Sequence, residues 1–95
     1  MSKHAMTAAE RAHIERVKQL DCQCCGAAGP CDAHHPREGQ GMSQRAGHFT
    51  AMALCKACHQ GPLGVHGDKT LMRIHKVTEM DMVDSTIGEI MKGLI

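Results

Sequence analysis

The chain lacks Trp and Tyr altogether, and Phe49 is its one phenylalanine. That excludes an aromatic core. The interior has to be built from aliphatic side chains and from the eight methionines, which fill irregular gaps. Long apolar runs are also missing. Residues 1–20 carry Lys3, Glu10, Arg11, Glu15, Arg16 and Lys18 and have no signal-peptide character, and no membrane span follows. The expectation is a cytoplasmic protein with no membrane partner, in a reducing compartment that favours thiolate–metal bonding over disulfides. A strong charge excess is lacking too. The net charge of +1 by itself says nothing for nucleic acid, but it hides a mildly basic body and an acidic tail. Residues 1–76 hold ten Lys/Arg against six Asp/Glu, whereas residues 77–95 hold Lys92 against Glu79, Asp81, Asp84 and Glu89. There is no internal repeat and no low-complexity segment. A chain of 95 residues makes one small domain, which gains much from a covalent or metal staple.

Cysteine and histidine are abundant: six and eight, most of them between Cys22 and His66. Two separated Cys-x-x-Cys pairs, Cys22/Cys25 and Cys55/Cys58, have the spacing of a tetrahedral zinc site. Gly26 relieves the backbone after the second ligand, and Cys55 and Cys58 share a face at a helix start. Four thiolates close the site to substrate, so the Zn²⁺ expected there is structural. Cys24 and Cys31 are spare, and each is either a small buried thiol or a replacement for one of the four. On a helix, neighbouring side chains diverge by about 100°. His59 is therefore badly placed to join Cys58 on one ion and well placed to serve a neighbouring centre. His34, His59 and His66 could form an open three-nitrogen metal site, with His35 beside it as a proton acceptor near neutral pH. Three imidazoles favour zinc or another transition ion. Cys55-x-x-Cys58-His59 is also the attachment pattern of c-type haem, but that reading needs export and leaves Cys22/Cys25 and His34-His35 unexplained.

The order of elements reads as α+β. Thr7-Ala-Ala-Glu10 is a capping box that opens a helix to about Leu20, with Ile14, Val17 and Leu20 on its apolar stripe. Residues 22–31 read as a knuckle, and 32–35 as a short strand ended by Pro36. Residues 37–47, with three glycines and no apolar periodicity, read as an exposed loop. Residues 48–54 look like a second strand, and 55–60 start a helix that Gly61, Pro62 and Gly64 interrupt. Asp68 can cap a helix carrying Leu71, Met72 and Ile74. Thr78-x-x-Asp81 opens the last helix, whose stripe of Met80, Val83, Ile87, Ile90, Met91 and Leu94 is expected to face the core. The division is an N-terminal helix over 1–20, a zinc-stapled core over 21–67 and C-terminal helices over 68–95.

Ala33-His34-His35 and Leu54-Cys55-Lys-Ala-Cys58-His59 together resemble the HNH, or ββα-metal, nuclease motif. The likeness is closer to the phage recombination-enhancement nucleases, the Ref-type, RecA-dependent branch. Gly39-Gln-Gly-Met-Ser-Gln-Arg45-Ala, His48-Phe49-Thr50 and Gly64-Val-His66-Gly67-Asp68 carry it, and it covers roughly Cys22 to Ile90. The resemblance implies a treble-clef-like ββα-metal core. It makes His34 and His59 metal ligands and His35 the general base. His66 becomes the third ligand, seven residues after His59 where simpler members space the pair by four. The family's central Asn, which fixes the loop orienting the base, corresponds to Thr50. The Thr50 hydroxyl could do this in part, or His48 could substitute.

The activity implied is metal-dependent hydrolysis of DNA phosphodiesters, directed by a RecA-type recombinase filament, in the cytoplasm of a bacterial host. His35 would take a proton from the attacking water. An ion held by the histidines would neutralise charge on a phosphate oxygen and on the leaving 3′-oxygen. Mg²⁺ or Mn²⁺ is the expected ion, with Zn²⁺ the alternative. Arg37 and Arg45, on the glycine-rich loop, would contact phosphates. The chain's shortness suggests a nuclease core whose targeting is left to a partner; oligomeric state is not readable from it. The rival is a noncatalytic zinc-bound DNA- or protein-binding module on the same fold, since fold does not establish activity.

Overall fold

The computed structural model describes residues 5–38, 41 and 46–94. Arg45 and the Leu94 side chain lie outside the described residues. Within them the chain is α+β, with a two-stranded sheet and four helices.

The first helix, α1 (Ala8–Lys18), begins as its capping box requires. The Thr7 hydroxyl accepts the Glu10 N–H at 3.1 Å, and the Glu10 carboxylate accepts the Thr7 N–H at 2.8 Å. Ile14 and Val17 are buried and Leu20 packs against the core, so the apolar stripe falls where its spacing puts it. The helix ends at Lys18 with Gln19 as its cap, slightly short of Leu20.

Strands β1 (Asp32–His34) and β2 (Met52–Leu54) pair antiparallel, with Asp32 opposite Leu54, Ala33 opposite Ala53 and His34 opposite Met52. The second strand is shorter than expected because His48–Thr50 form a 3-10 turn. Thr50 donates its hydroxyl to the Gly47 carbonyl at 2.7 Å, and the Thr50 and Ala51 N–H groups bond the Gly47 and His48 carbonyls. These local bonds hold the chain back from extending until Met52.

Three helices follow: α2 (Lys56–His59), α3 (Thr70–His75) and α4 (Glu79–Leu94). The N-cap of α3 is Lys69 rather than the expected Asp68, which stands one residue earlier and accepts the Thr70 N–H at 3.0 Å. Thr78 and Asp81 exchange two bonds, of 2.9 and 3.1 Å, at the start of α4. The core is aliphatic and methionine-rich: Val17, Met52, Ala53, Leu54 and Met82 are fully buried. Both α1 and α4 pack on β2.

The face that α4 buries differs from the expected stripe. Val83 and Ile90 are inside, but Met80, Ile87 and Met91 are exposed, Met80 by 72%. Glu79, Met82 and Thr86 take their place. Glu79 belongs to the inward row 79, 82, 83, 86, 90, and its carboxylate bonds His34 at 2.8 Å. Among the described residues no helix is long and apolar enough to cross a membrane.

Candidate metal centres

Cys22, Cys25, Cys55 and Cys58 bring their sulfurs within 4.8 Å of one another, close enough to hold a metal such as zinc. Sulfurs at 2.3 Å from a tetrahedral ion lie about 3.8 Å apart; the Cys25 and Cys55 sulfurs are at 3.7 Å. The knuckle is built by its backbone. Gly26 takes φ +83°, the left-handed conformation glycine adopts readily, and its N–H returns to the Cys22 carbonyl at 2.9 Å. The N–H groups of Cys24 and Cys25 point at the Cys22 sulfur, each at 3.4 Å. Burial pushes the Cys22 thiol up, but backbone N–H groups from Cys25, Cys55 and Cys24 outweigh it and bring the thiol down to about 7. Cys24 and Cys31 stay outside the group as buried thiols, and burial raises both, Cys31 to about 11. No described cysteine is in a disulfide. Both cysteines that a haem would need belong to this cluster.

The second group is made of nitrogen. His34, His59 and His66 each offer one ring atom within 4.8 Å of the others. Their ring centroids form a nearly equilateral triangle with sides of 5.1, 4.9 and 4.9 Å. His34 comes from the end of β1, His59 from the end of α2, and His66 from the loop that follows. Neighbours on α2 part as the helix geometry requires: Cys58 joins the sulfur group and His59 the nitrogen group. The long offset of His66 has a simple structural cause. The chain doubles back along α2, so that the Val65 N–H meets the Cys58 carbonyl at 2.7 Å and the His66 N–H meets the His59 carbonyl at 3.2 Å. Gly64 permits the approach, since a Cβ there would sit 2.6 Å from the carbonyl oxygens of both Ala57 and Cys58. His34 and His59 are buried, while His66 faces solvent. The group is therefore open on one side.

Carboxylates set the orientation of two of these rings. Glu79, 2% exposed, accepts from His34 Nε2 at 2.8 Å through Oε2. Its Oε1 accepts the backbone N–H groups of Arg37 and Glu38, both at 2.8 Å. Asp32 accepts from His59 Nδ1 at 2.9 Å and from the Lys56 ammonium at 2.9 Å. These bonds leave Nδ1 of His34 and Nε2 of His59 for a metal, the arrangement by which a carboxylate fixes the tautomer and raises the basicity of a ligating imidazole. Burial lowers His34 and His66 from the usual imidazole value, in the direction of the neutral form a metal requires. Burial pushes Glu79 up, but the bonds from His34, Glu38 and Arg37 outweigh it and the group ends below its ordinary value. Asp32 is lowered by His59 first and Lys56 second. Neither carboxylate carries a local sequence signal for this role. Glu79 lies 45 residues from His34 and stands in the first turn of a helix, where an acidic residue is ordinary.

His35 is outside the nitrogen triangle. Its Nε2 lies 2.9 Å from Nδ1 of His48, with ring centroids 5.0 Å apart. Of the two candidates for steadying His35, the structure gives the direct contact to His48 and leaves Thr50 to fasten the turn that carries it. Arg37 is exposed, close enough to His66 to help lower it. Comparison with protein-family models, with curated proteins and with solved structures finds no match for the chain.

Proposed function

We propose that the chain is a metal-dependent DNA endonuclease of the HNH type, hydrolysing phosphodiester bonds. The observation that carries this reading is the pairing of an open three-histidine site with a separate His35–His48 couple on the next residue of the same hairpin. A purely structural metal has no use for an open face or for a second histidine couple beside it. The sulfur site has the opposite character: four thiolates close it, which suits a fastener for a chain with so small a core.

A divalent ion, held by His34, His59 and His66, would supply neutralisation of the negative charge that develops as the phosphodiester breaks. The chain's own residues do the rest. His35, whose Nε2 lies 2.9 Å from His48 Nδ1, is the base that draws a proton from the attacking water. His48 fixes the ring and its tautomer, and Thr50 holds the turn through Gly47. Glu79 keeps His34 in line and, through two backbone N–H groups, ties down the segment that leaves the site with Arg37. Arg37 is placed to meet a phosphate beside His66. Recombinase direction belongs to the same reading through the phrases shared with the Ref-type family.

The test is cleavage of single- and double-stranded DNA by purified protein with added Mg²⁺ or Mn²⁺, with and without a RecA-type filament, beside His35→Ala. Metal-dependent cutting that vanishes in the variant is the expected result; cutting confined to the filament lanes would add the partner. Folded, zinc-loaded protein that cuts in no lane would leave a noncatalytic binding module.

A further inference from the structure

An open cleft of about 360 Å³ lies beside α3, and Lys69, Arg73 and Lys76 line it together with Glu38 and Thr78. None of the three cations has an ion-pair partner among the described residues, although Lys18, Lys56 and Lys92 all do. One carboxylate, Glu38, lines the same cleft, and Asp68 is close enough to Arg73 to be lowered by it. Glu38 accepts the Glu79 N–H at 3.2 Å, and Asp68 accepts the Thr70 N–H. Arg73 is held in place, donating to the Asp68 carbonyl at 2.9 Å and to the Thr70 hydroxyl at 3.0 Å. A guanidinium carries five N–H donors, so this fixed fork keeps others to offer.

The backbone adds an independent observation. Lys69 and Lys76 flank α3, and both are left-handed, at φ 65° and 57°. Side chains with a Cβ are strained in that conformation, and folding alone favours Gly or Asn there. The knuckle follows that rule with Gly26. At both ends of α3 the chain places lysine instead, and both lysines line one cleft. The position of the cleft matters as well. Glu38 follows Arg37, and Thr78 precedes Glu79, the residue that bonds His34.

We infer that the cleft ringed by Lys69, Arg73 and Lys76 is a second binding track for the phosphate backbone of DNA, continuing from the histidine site past Arg37. This rests on the endonuclease reading and adds substrate contacts to it. Lysines act there as adaptable point charges and Arg73 as the fixed donor. Contacts of this kind add affinity without sequence preference.

The experiment is equilibrium binding of a labelled DNA oligonucleotide across a salt series, without added Mg²⁺ or Mn²⁺. The chain is compared with two double variants, Lys69→Gly with Lys76→Gly, and Lys69→Asn with Lys76→Asn. Each lost phosphate contact removes about 0.9 from the slope of log K against log salt on duplex DNA, so the expected loss is about 2. Melting temperature and bound zinc should be unchanged or higher in both, because the left-handed strain is relieved. A slope unchanged in both variants, with the parent binding normally, overturns the track and leaves the nuclease reading standing. A parent chain that shows no salt-dependent binding to DNA overturns both.

Discussion

Glu79 carries more of the candidate site than any one of its three histidines. One buried carboxylate orients His34 and satisfies two backbone N–H groups on the segment after β1. Glu79→Gln keeps the shape and removes the charge. It should weaken metal binding at the histidine site by about 10–100-fold and leave the thiolate site unchanged. Asp32→Asn should act in the same way through His59. Calorimetric titration of zinc-loaded protein with Mn²⁺ checks both; equal affinity in Glu79→Gln would remove the carboxylate from the site. His48→Ala should lower the cleavage rate and move its pH profile, because His35 loses the partner that fixes its tautomer. A rate changed without any change in the profile would assign His48 to packing alone. These roles were not legible beforehand, for a physical reason. Metal ligands announce themselves by local spacing, as Cys22/Cys25 and Cys55/Cys58 do. The groups that aim the ligands are recruited across the fold, and Glu79 and Asp32 look like ordinary helix-start and strand-end acids. His48 was legible only through the resemblance, as a stand-in for the Asn that the HNH pattern would put at Thr50.

The elements show where periodicity suffices and where it fails. The Thr7 and Thr78 capping boxes place two helix starts correctly, because all their bonds lie within one turn. Periodicity does not reach the buried face of α4, which includes a polar residue with a distant partner, Glu79 against His34. The consequence is measurable. Met82→Ala should cost about 2–5 kcal/mol as a core cavity, while Met80→Ala should stay within about 0.5 kcal/mol. Urea denaturation at fixed zinc distinguishes them, and similar losses at both would put the expected stripe back in the core. The loop between α2 and α3 bears on function more directly. Gly64→Ala would press a methyl group against two carbonyls of α2. It should cost about 1–3 kcal/mol as an overpacked contact and weaken the histidine site by displacing His66. Retained metal affinity would show that His66 reaches the site by another path.

For the molecule as a whole, two groups that could hold a metal share one short helix, with the adjacent residues Cys58 and His59 belonging to different groups. In the proposed reading, the sulfur group serves stability and the nitrogen group chemistry. A core without Trp or Tyr, and with one exposed Phe, has little apolar surface to spare. Stripping zinc with a strong chelator should therefore unfold the chain, as followed by circular dichroism, and zinc should restore it. Acid should release the same ion, since its ligands must be deprotonated to bind. Loss of the histidine-bound ion should leave the spectrum unchanged.

The decisive comparison is DNA cleavage by zinc-loaded protein, with Mn²⁺ added back after its removal, beside His59→Ala. The expected result is cutting that returns with Mn²⁺ in the parent chain and is lost in the variant, while thiol-bound zinc and helix content stay the same in both. Cutting that persists in His59→Ala, or that never appears in the folded parent, would contradict the assignment of the three histidines to a catalytic metal.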